Sequence, residues 1–260
     1  MGITVSFVSL LILLPLATLP IVASGQGAAR MIEVLTAERT LSAYGLSVGA
    51  ALIAALINTV FGVVIAWVLV RYRFPGRQLI DGLIDLPFAL PTAVAGIALT
   101  AVYAKTGWIG QLLEPLHIQA AYSRLGIVIA MILVSIPFVV RTVQPVLEEL
   151  DPEIEDAAAS LGASRWTTFR RVILPALAPA VLTGMALAFA KGIGEYGSVI
   201  FISSNLPNQT EIAPLLIVNR LEEYDYPAAA TVALGLLIIS FVLLLLINLL
   251  QSWLRRESQR

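Results

Sequence analysis

The sequence predicts an all-α membrane protein with six transmembrane helices, because of its apolar composition and the spacing of its charges. Hydrophobic residues make up 58% of the 260 residues and charged residues only 13%. A soluble domain has about 45–50% apolar and about 25% charged residues. A single water-soluble core of this size could not bury so much apolar surface, whereas a lipid bilayer lets that surface face outward.

The six longest intervals without a charged residue are each interpreted as one span. They are residues 1–29, 40–70, 86–104, 125–140, 172–190 and 226–254. A helix needs about 20 apolar residues to cross about 30 Å of hydrocarbon. The fourth interval is shorter than that, and we expect Arg124 and Arg141 to extend their side chains to the membrane surface. The last interval is long enough to tilt or to project from the bilayer.

The first interval has an alternative interpretation as a cleaved signal peptide, with Val22, Ala23 and Ser24 at the cleavage position. Its first residues lack the positive charge that such peptides carry, and its apolar run is longer than a signal core requires. A retained span is therefore the favoured interpretation.

Lysine and arginine are distributed unequally between the two sides that six spans would create. One side holds ten of them: Arg71, Arg73, Arg77, Arg141, Arg165, Arg170, Arg171, Arg255, Arg256 and Arg260. The other side holds six: Arg30, Arg39, Lys105, Arg124, Lys191 and Arg220. Cytoplasmic connections are enriched in these residues, so both termini are predicted to lie in the cytoplasm.

Composition also excludes several classes of function. The formal net charge of −1 gives no basic field to gather phosphates, so no nucleic-acid partner is expected. The chain has no cysteine and one histidine, His117, which we expect in a loop. We therefore expect no metal site and no bound cofactor.

A short helix is predicted in the cytoplasmic connection 141–171. Asp151 is a good N-cap and Pro152 suits the first helical position. Acidic residues then lie at the positive end of the helix dipole, and Gly162 is expected to end the helix. The acidic residues are Glu153, Glu155 and Asp156. Ser164 is the predicted cap of a second helix that leads into the fifth span.

One face of this short helix is predicted to be apolar, since Ile154, Ala157, Ala158 and Leu161 recur at helical spacing. A helix lying on the bilayer surface is the simpler interpretation. Such helices favour lysine and arginine on the polar face, whereas this one is acidic. Small alanine side chains also permit close approach to another protein. We therefore interpret it as a docking helix.

The same stretch resembles the cytoplasmic motif of binding-protein-dependent ABC permeases. The resemblance rests on residues 156–158, Gly162, Val172 and residues 174–175. The family motif normally opens with Glu-Ala-Ala, where this chain has Asp156, and has isoleucine at the position of Val172. The resemblance implies a type I ABC importer permease fold whose docking helix enters a cleft of an ATPase subunit. The residues implied in coupling to the ATPase are Glu155, Asp156, Ala157, Ala158, Leu161 and Gly162.

Longer stretches resemble the sulfate and thiosulfate permeases of this family. They are residues 71–77, 85–96, 136–150, 194–203 and 223–229. The resemblance implies a bacterial inner-membrane location and transport of sulfate, with molybdate, tungstate or another oxyanion as the alternative. It also implies three kinds of partner: a second permease subunit (W-type or a copy of this chain), two ATP-binding subunits and an external sulfate-binding protein.

The chain is divided into three parts on this basis. Residues 1–40 form an N-terminal span and an external linker, residues 41–253 form the permease core, and residues 254–260 form a cytoplasmic tail. No catalytic role is expected, because a phosphate-binding loop needs Gly-Lys followed by Ser or Thr. Only Lys105 and Lys191 are lysines, and each follows an alanine. ATP hydrolysis is therefore expected on a partner subunit.

A charged, glycine-rich turn follows the fifth apolar interval. It contains Lys191, Gly192, Gly194, Glu195 and Gly197. Glycines free backbone amides that could line an anion path, and an ionisable residue at membrane depth favours a functional role. The alternative is a structural brace, in which the lysine and glutamate share a helix face and neutralise each other. The brace is the favoured interpretation, because a carboxylate repels an anion.

Two other classes of function compete with an ATP-driven permease. A secondary transporter would need no docking helix and would work under an ion gradient alone, although we find no internal repeat typical of that class. A membrane enzyme or an assembly scaffold is the other alternative, and it is disfavoured because the spans contain no histidine cluster and no close carboxylate pair for hydrolysis.

Overall fold

The computed structural model describes residues 2, 6–7, 9–151 and 153–258, and every regular element in these residues is a helix. We number the main helices α1 to α13. They are α1 Ser9–Ser24, α2 Ala28–Thr36, α3 Glu38–Arg71, α4 Arg77–Ile84, α5 Leu86–Ala89, α6 Thr92–Tyr103, α7 Trp108–Leu113, α8 Arg124–Glu149, α9 Glu153–Ser160, α10 Arg165–Ile193, α11 Val199–Ile202, α12 Ala213–Glu222 and α13 Tyr226–Ser258. Of the predicted features, Pro152 and Arg260 lie outside the described residues.

Four of these helices are long and apolar enough to cross a membrane. They are α3, α8, α10 and α13, whose apolar windows have mean hydropathy values from 2.1 to 2.9. They contain the predicted spans 40–70, 125–140, 172–190 and 226–254 in chain order. The chain is therefore a multi-pass membrane protein.

The first predicted span is a bent pair of helices. Helix α1 meets α2 at an angle of 101°, and the break lies at residues 25–27, where Gly27 has φ +83°. That backbone conformation is readily available to glycine but not to other residues. Counted as one broken span, the pair is the fifth candidate in the described part of the chain.

The predicted span 86–104 is not one continuous helix in the structure. Helix α5 ends at Ala89, and the next residue, Leu90, is extended with ψ 134°. The ring of the following Pro91 disfavours the helical conformation at this residue. Helix α6 then has 12 residues, a length of about 18 Å. The count of six spans stays a prediction.

Helices α3, α8 and α10 pack together as the core of the bundle. Small residues make this close approach possible, as they do in many membrane proteins. A Cβ atom on Gly62 of α3 would lie 2.7 Å from a methyl carbon of Val139 on α8. A Cβ atom on Gly184 of α10 would lie 2.9 Å from the Cα atom of Val139. Val139 therefore marks the place where the three helices cross.

Charged groups predicted to lie on one side of the membrane meet each other in the structure. Arg39 binds Glu211 through two hydrogen bonds of 2.7 Å on the predicted outer side. Arg71 pairs with Glu155 at 2.9 Å on the predicted cytoplasmic side. Among the described residues, no ion pair joins the two sides. The ion pairs therefore agree with the predicted assignment of the connections to two sides. The cytoplasmic position of the termini stays a prediction.

Candidate functional site

The predicted docking helix is present as α9, and both of its ends are capped. The carboxylate of Asp151 accepts a hydrogen bond from the amide of Glu153 at 2.9 Å. At the other end Gly162 has φ +79°. Its amide donates to the carbonyl of Ala159 at 2.9 Å, and the amide of Ala163 donates to the carbonyl of Ala158 at 3.0 Å. These two bonds form a Schellman motif, which satisfies the last carbonyls of a helix.

The turn after α9 leads directly into α10, as the sequence predicted. The hydroxyl of Ser164 accepts a hydrogen bond from the amide of Thr167 at 3.2 Å, which caps the first turn of α10. The docking helix is thus joined through one short turn to a core helix.

The apolar stripe of α9 faces away from the rest of the chain. The exposed fraction is 89% for Leu161 and 41% for Ile154, and Ala157 is also exposed. Ala158 is half-buried. An uncovered apolar face on a capped helix favours contact with another molecule. Acidic residues surround it, and these would be repelled by the anionic lipids of a cytoplasmic leaflet. The geometry therefore favours a protein partner.

The opposite face of α9 is turned toward the membrane-spanning helices. Its acidic residues Glu155 and Asp156 and the small Ala159 border a cavity of about 730 Å³. Glu155 pairs with Arg71 at the end of α3, with 2.9 Å between its Oε1 and the arginine Nε. The six predicted coupling residues therefore do not form one surface. Two of them, Ala157 and Leu161, are exposed on the outward face.

The glycine-rich turn after α10 holds a buried carboxylate. Glu195 is 2% exposed. Its Oε2 accepts a hydrogen bond from the ammonium group of Lys191 at 2.6 Å. Its Oε1 accepts from the amide of Ser198 at 3.1 Å and from the hydroxyl of the same residue at 3.0 Å. A buried charge needs such partners, and both carboxylate oxygens have them.

The same turn is packed tightly against the start of α6. A Cβ atom on Gly197 would meet the hydroxyl oxygen of Thr92, and one on Gly96 would meet the carbonyl oxygen of Ser198. Gly192 lies beside Ala51 of α3, whereas Gly194 is exposed. Within the turn, burial raises the pKa of Tyr196, and the carboxylate of Glu222 adds to the increase. The tyrosine therefore adds no charge to the turn at neutral pH.

These contacts favour the brace over the pathway role for Lys191 and Glu195. Both glutamate oxygens are used inside the turn, so no free carboxylate oxygen points toward a passing ion. The side chain of Lys191 is 35% exposed and could still face an anion at an interface with a second subunit. The choice between the two roles stays a prediction.

A double-mutant cycle separates the two roles of this pair. If the pair is a brace, Glu195→Gln and Lys191→Met should each lower thermal stability, because each leaves one unpaired charge. The double variant should then recover much of the loss, with a coupling energy of about 1 kcal/mol. The measurement is thermal unfolding in detergent. Strictly additive losses would contradict the brace, and a changed sulfate-to-molybdate preference in Glu195→Gln would favour the pathway role.

A second charged cluster, which was not predicted from the sequence, is centred on Arg141 of α8. Its guanidinium group donates hydrogen bonds to both carboxylate oxygens of Asp85 at 2.7 Å and to a carboxylate oxygen of Asp81 at 2.6 Å. It also donates to the side-chain oxygen of Gln144 at 2.6 Å. Arg141 thus ties α4 and the residue before α5 to α8, and its extension to the membrane surface stays a prediction. Asp81 and Asp85 lie four residues apart, a spacing that places both carboxylates on one side of a helix and could have indicated a shared basic partner.

The fold defines a class of protein: a multi-pass α-helical membrane protein. Residues 58–259 match the family described as binding-protein-dependent transport system inner membrane component. The chain belongs to this family of ABC transporter permeases.

Known proteins resemble the chain over nearly its whole length. It is 51% identical over 251 residues to a probable sulfate transport system permease protein, cysT, of Nephroselmis olivacea, covering 96% of this chain and 88% of that protein. It is 49% identical over 252 residues to the sulfate transport system permease protein CysT of Escherichia coli (strain K12), covering 97% and 91%.

Solved structures share the fold at low sequence identity. A bacterial ABC transporter involved in the import of the acidic polysaccharide alginate matches with a TM-score of 0.77 and 13% identity, over 96% of this chain and 92% of that one. The bacterial alginate ABC transporter in complex with its pentasaccharide-bound periplasmic protein matches with a TM-score of 0.75 and 17% identity, over 94% and 90%. At these identities the likeness shows the fold alone.

Proposed function

We propose that the chain is the membrane-spanning permease subunit of an ATP-driven importer of sulfate and thiosulfate in the bacterial inner membrane. The proposal that the importer is ATP-driven is supported by the outward apolar face of α9, where Leu161 is 89% exposed just after the last helical residue. A secondary transporter has no use for such a face. The two sulfate permeases that are about half identical to this chain support the choice of substrate.

The complex would contain four membrane-associated subunits and one external protein. This chain would pair with a second permease subunit, either a W-type chain or a copy of itself, and each would bind one ATP-binding subunit. A sulfate-binding protein would deliver the anion from outside. The family description names the dependence on a binding protein. The ion passage would lie between the two permease subunits, built mainly by residues 41–253.

Molybdate and tungstate are the alternative substrates, since tetrahedral oxyanions of equal charge differ mainly in size. The permease also responds to a loaded binding protein in this proposal, so the binding protein shares in the choice of anion. Competition by molybdate against sulfate in the assembled complex would decide between them.

Purification of the chain with its partners tests the subunit assignment. We expect the chain purified from its native membrane to carry a second permease subunit and an ATP-binding protein, which mass spectrometry identifies. We expect the chain alone to show no ATPase activity, because neither lysine lies in a phosphate-binding loop. Robust hydrolysis by the chain alone, or recovery of the chain without any ATP-binding protein, would contradict the assignment.

A further inference from the structure

Arg71, the last residue of α3, contacts three parts of the cytoplasmic end of the protein. Its Nε atom lies 2.9 Å from Oε1 of Glu155 on the docking helix α9. Its Nη2 atom donates to the carbonyl oxygen of Leu150, which caps the end of α8, at 3.0 Å. Its guanidinium group lies 5.9 Å from the ring centroid of Trp67. Only 15% of the arginine side chain is exposed, so the group is held in place on several sides.

Open space separates the rest of the docking helix from the core. The cavity of about 730 Å³ has Trp67, Phe169 and Ile173 on its membrane side and Asp156 and Ala159 on the side of α9. Packed side chains transmit displacement well because interiors are dense, and a cavity removes that route. Besides the short turn into α10, a movement of α9 would therefore reach α3 through groups that bridge the cavity.

The Arg71–Glu155 pair is such a bridge. Among the described residues, it is the one ion pair that joins α9 to another helix. The two atoms lie within ion-pair distance, and the described structure shows no hydrogen bond between them. Attraction between the two charges opposes retreat of α9, and contact between the two side chains opposes its approach. An apolar contact would oppose approach alone.

We infer that the Arg71–Glu155 pair is a strut that carries the displacement of the docking helix to the cytoplasmic end of α3; the inference rests on the proposed function as an ATP-driven permease. Helix α3 packs against α8 and α10 in the core, so a shift at Arg71 changes the arrangement of all three. Glu155 then acts inside the chain as a positioning residue, and the ATPase contacts the outward face of α9 instead.

The test uses the complete complex with its ATP-binding subunits and binding protein in proteoliposomes. Three quantities are measured for Glu155→Gln, for Arg71→Gln and for the double variant: ATPase binding, ATP hydrolysis, and sulfate imported per ATP hydrolysed. We expect ATPase binding to be unchanged. We expect import per ATP to fall about tenfold in each single variant, within the range of about 5–150-fold typical of coupling between sites. The double variant should be no worse than either single variant, since both remove the same link.

Matched controls come from the same region of the protein. Glu153→Gln makes the same chemical change on α9, and Arg165→Gln makes it at an exposed arginine that borders the same cavity. Neither residue has an ion pair in the described structure. Both control complexes should import as much sulfate per ATP hydrolysed as the unchanged complex does. If Arg71→Gln fails to assemble, Arg71→Lys replaces it, because lysine keeps the charge and loses the planar geometry.

Three results would overturn the strut. Unchanged import per ATP in Glu155→Gln would show that the pair carries no displacement. Weaker ATPase binding in Glu155→Gln but not in Arg71→Gln would show that the glutamate contacts the ATPase directly. Additive losses in the double variant would show that the two residues act separately. A complete unchanged complex that imports no sulfate with ATP would overturn the proposed function itself.

Discussion

Leu161→Asp is expected to weaken binding of the ATP-binding subunit by about tenfold or more, because burying a leucine side chain contributes about 1.5–3 kcal/mol. The leucine is 89% exposed at the end of α9 and lies on the outward apolar face. An aspartate there would place an unpaired carboxylate in the interface, which adds a desolvation cost. ATP-dependent uptake should fall in proportion. The measurement is equilibrium binding of the purified ATP-binding subunit to the permease in detergent or nanodiscs.

The chain itself should tolerate this change. Surface substitutions usually alter stability by less than about 0.5 kcal/mol, so thermal unfolding should be nearly unchanged. Leu112→Asp is the matched control, since Leu112 is 73% exposed on α7, at the opposite end of α8 from the docking helix. The control should bind the ATP-binding subunit normally. Unweakened binding by Leu161→Asp would remove this face of α9 from the docking surface.

Arg141→Met is expected to destabilise the chain by about 2 kcal/mol, because hydrogen bonds to charged groups contribute about 1.5–3 kcal/mol each and these are partly screened by solvent. The substitution leaves Asp81 and Asp85 without their shared partner. Helices α4 and α5 then lose their polar link to α8. Thermal unfolding in detergent measures the loss, and less complete assembly with the second permease subunit should accompany it.

Arg141→Lys should recover only part of that loss. A lysine keeps the positive charge, but it cannot bind both oxygens of Asp85 and reach Asp81 at the same time. Arg73→Met is the control, since Arg73 is exposed and has no ion pair in the described structure. It should unfold at the temperature of the unchanged chain. An Arg141→Met variant as stable as that control would show that the cluster contributes nothing to the fold.

The parts of the fold that the sequence predicted well are those set by local chemistry. Asp151, Gly162 and Ser164 have side chains or backbone preferences suited to helix ends, and they cap α9 and α10 as expected. Long apolar intervals without charge likewise became α3, α8, α10 and α13. The interval 86–104 has the same composition but contains Pro91, and hydropathy alone could not show that its helix would break before that residue.

The missed features depend on contacts between distant parts of the chain. Arg141 and Asp85 are 56 residues apart, and no local pattern joins them. Helical spacing predicts the face of α9 on which Glu155 lies. It cannot predict that Glu155 pairs with Arg71, which is distant in the sequence. The split of the predicted coupling residues into an outward face and an inward ion pair therefore required the structure. The contact between Glu195 and Lys191 could be predicted from their spacing, whereas the two hydrogen bonds that Glu195 accepts from Ser198 could not.

Transport by the reconstituted complex tests the central claim most directly. The chain is combined with its second permease subunit and its ATP-binding subunits in proteoliposomes, with ATP inside and the loaded sulfate-binding protein outside. We expect radiolabelled sulfate to accumulate inside only when both ATP and the binding protein are present, and to stop accumulating when a non-hydrolysable analogue replaces ATP. Sulfate accumulation without ATP, under an ion gradient alone, would contradict the account and show a secondary transporter.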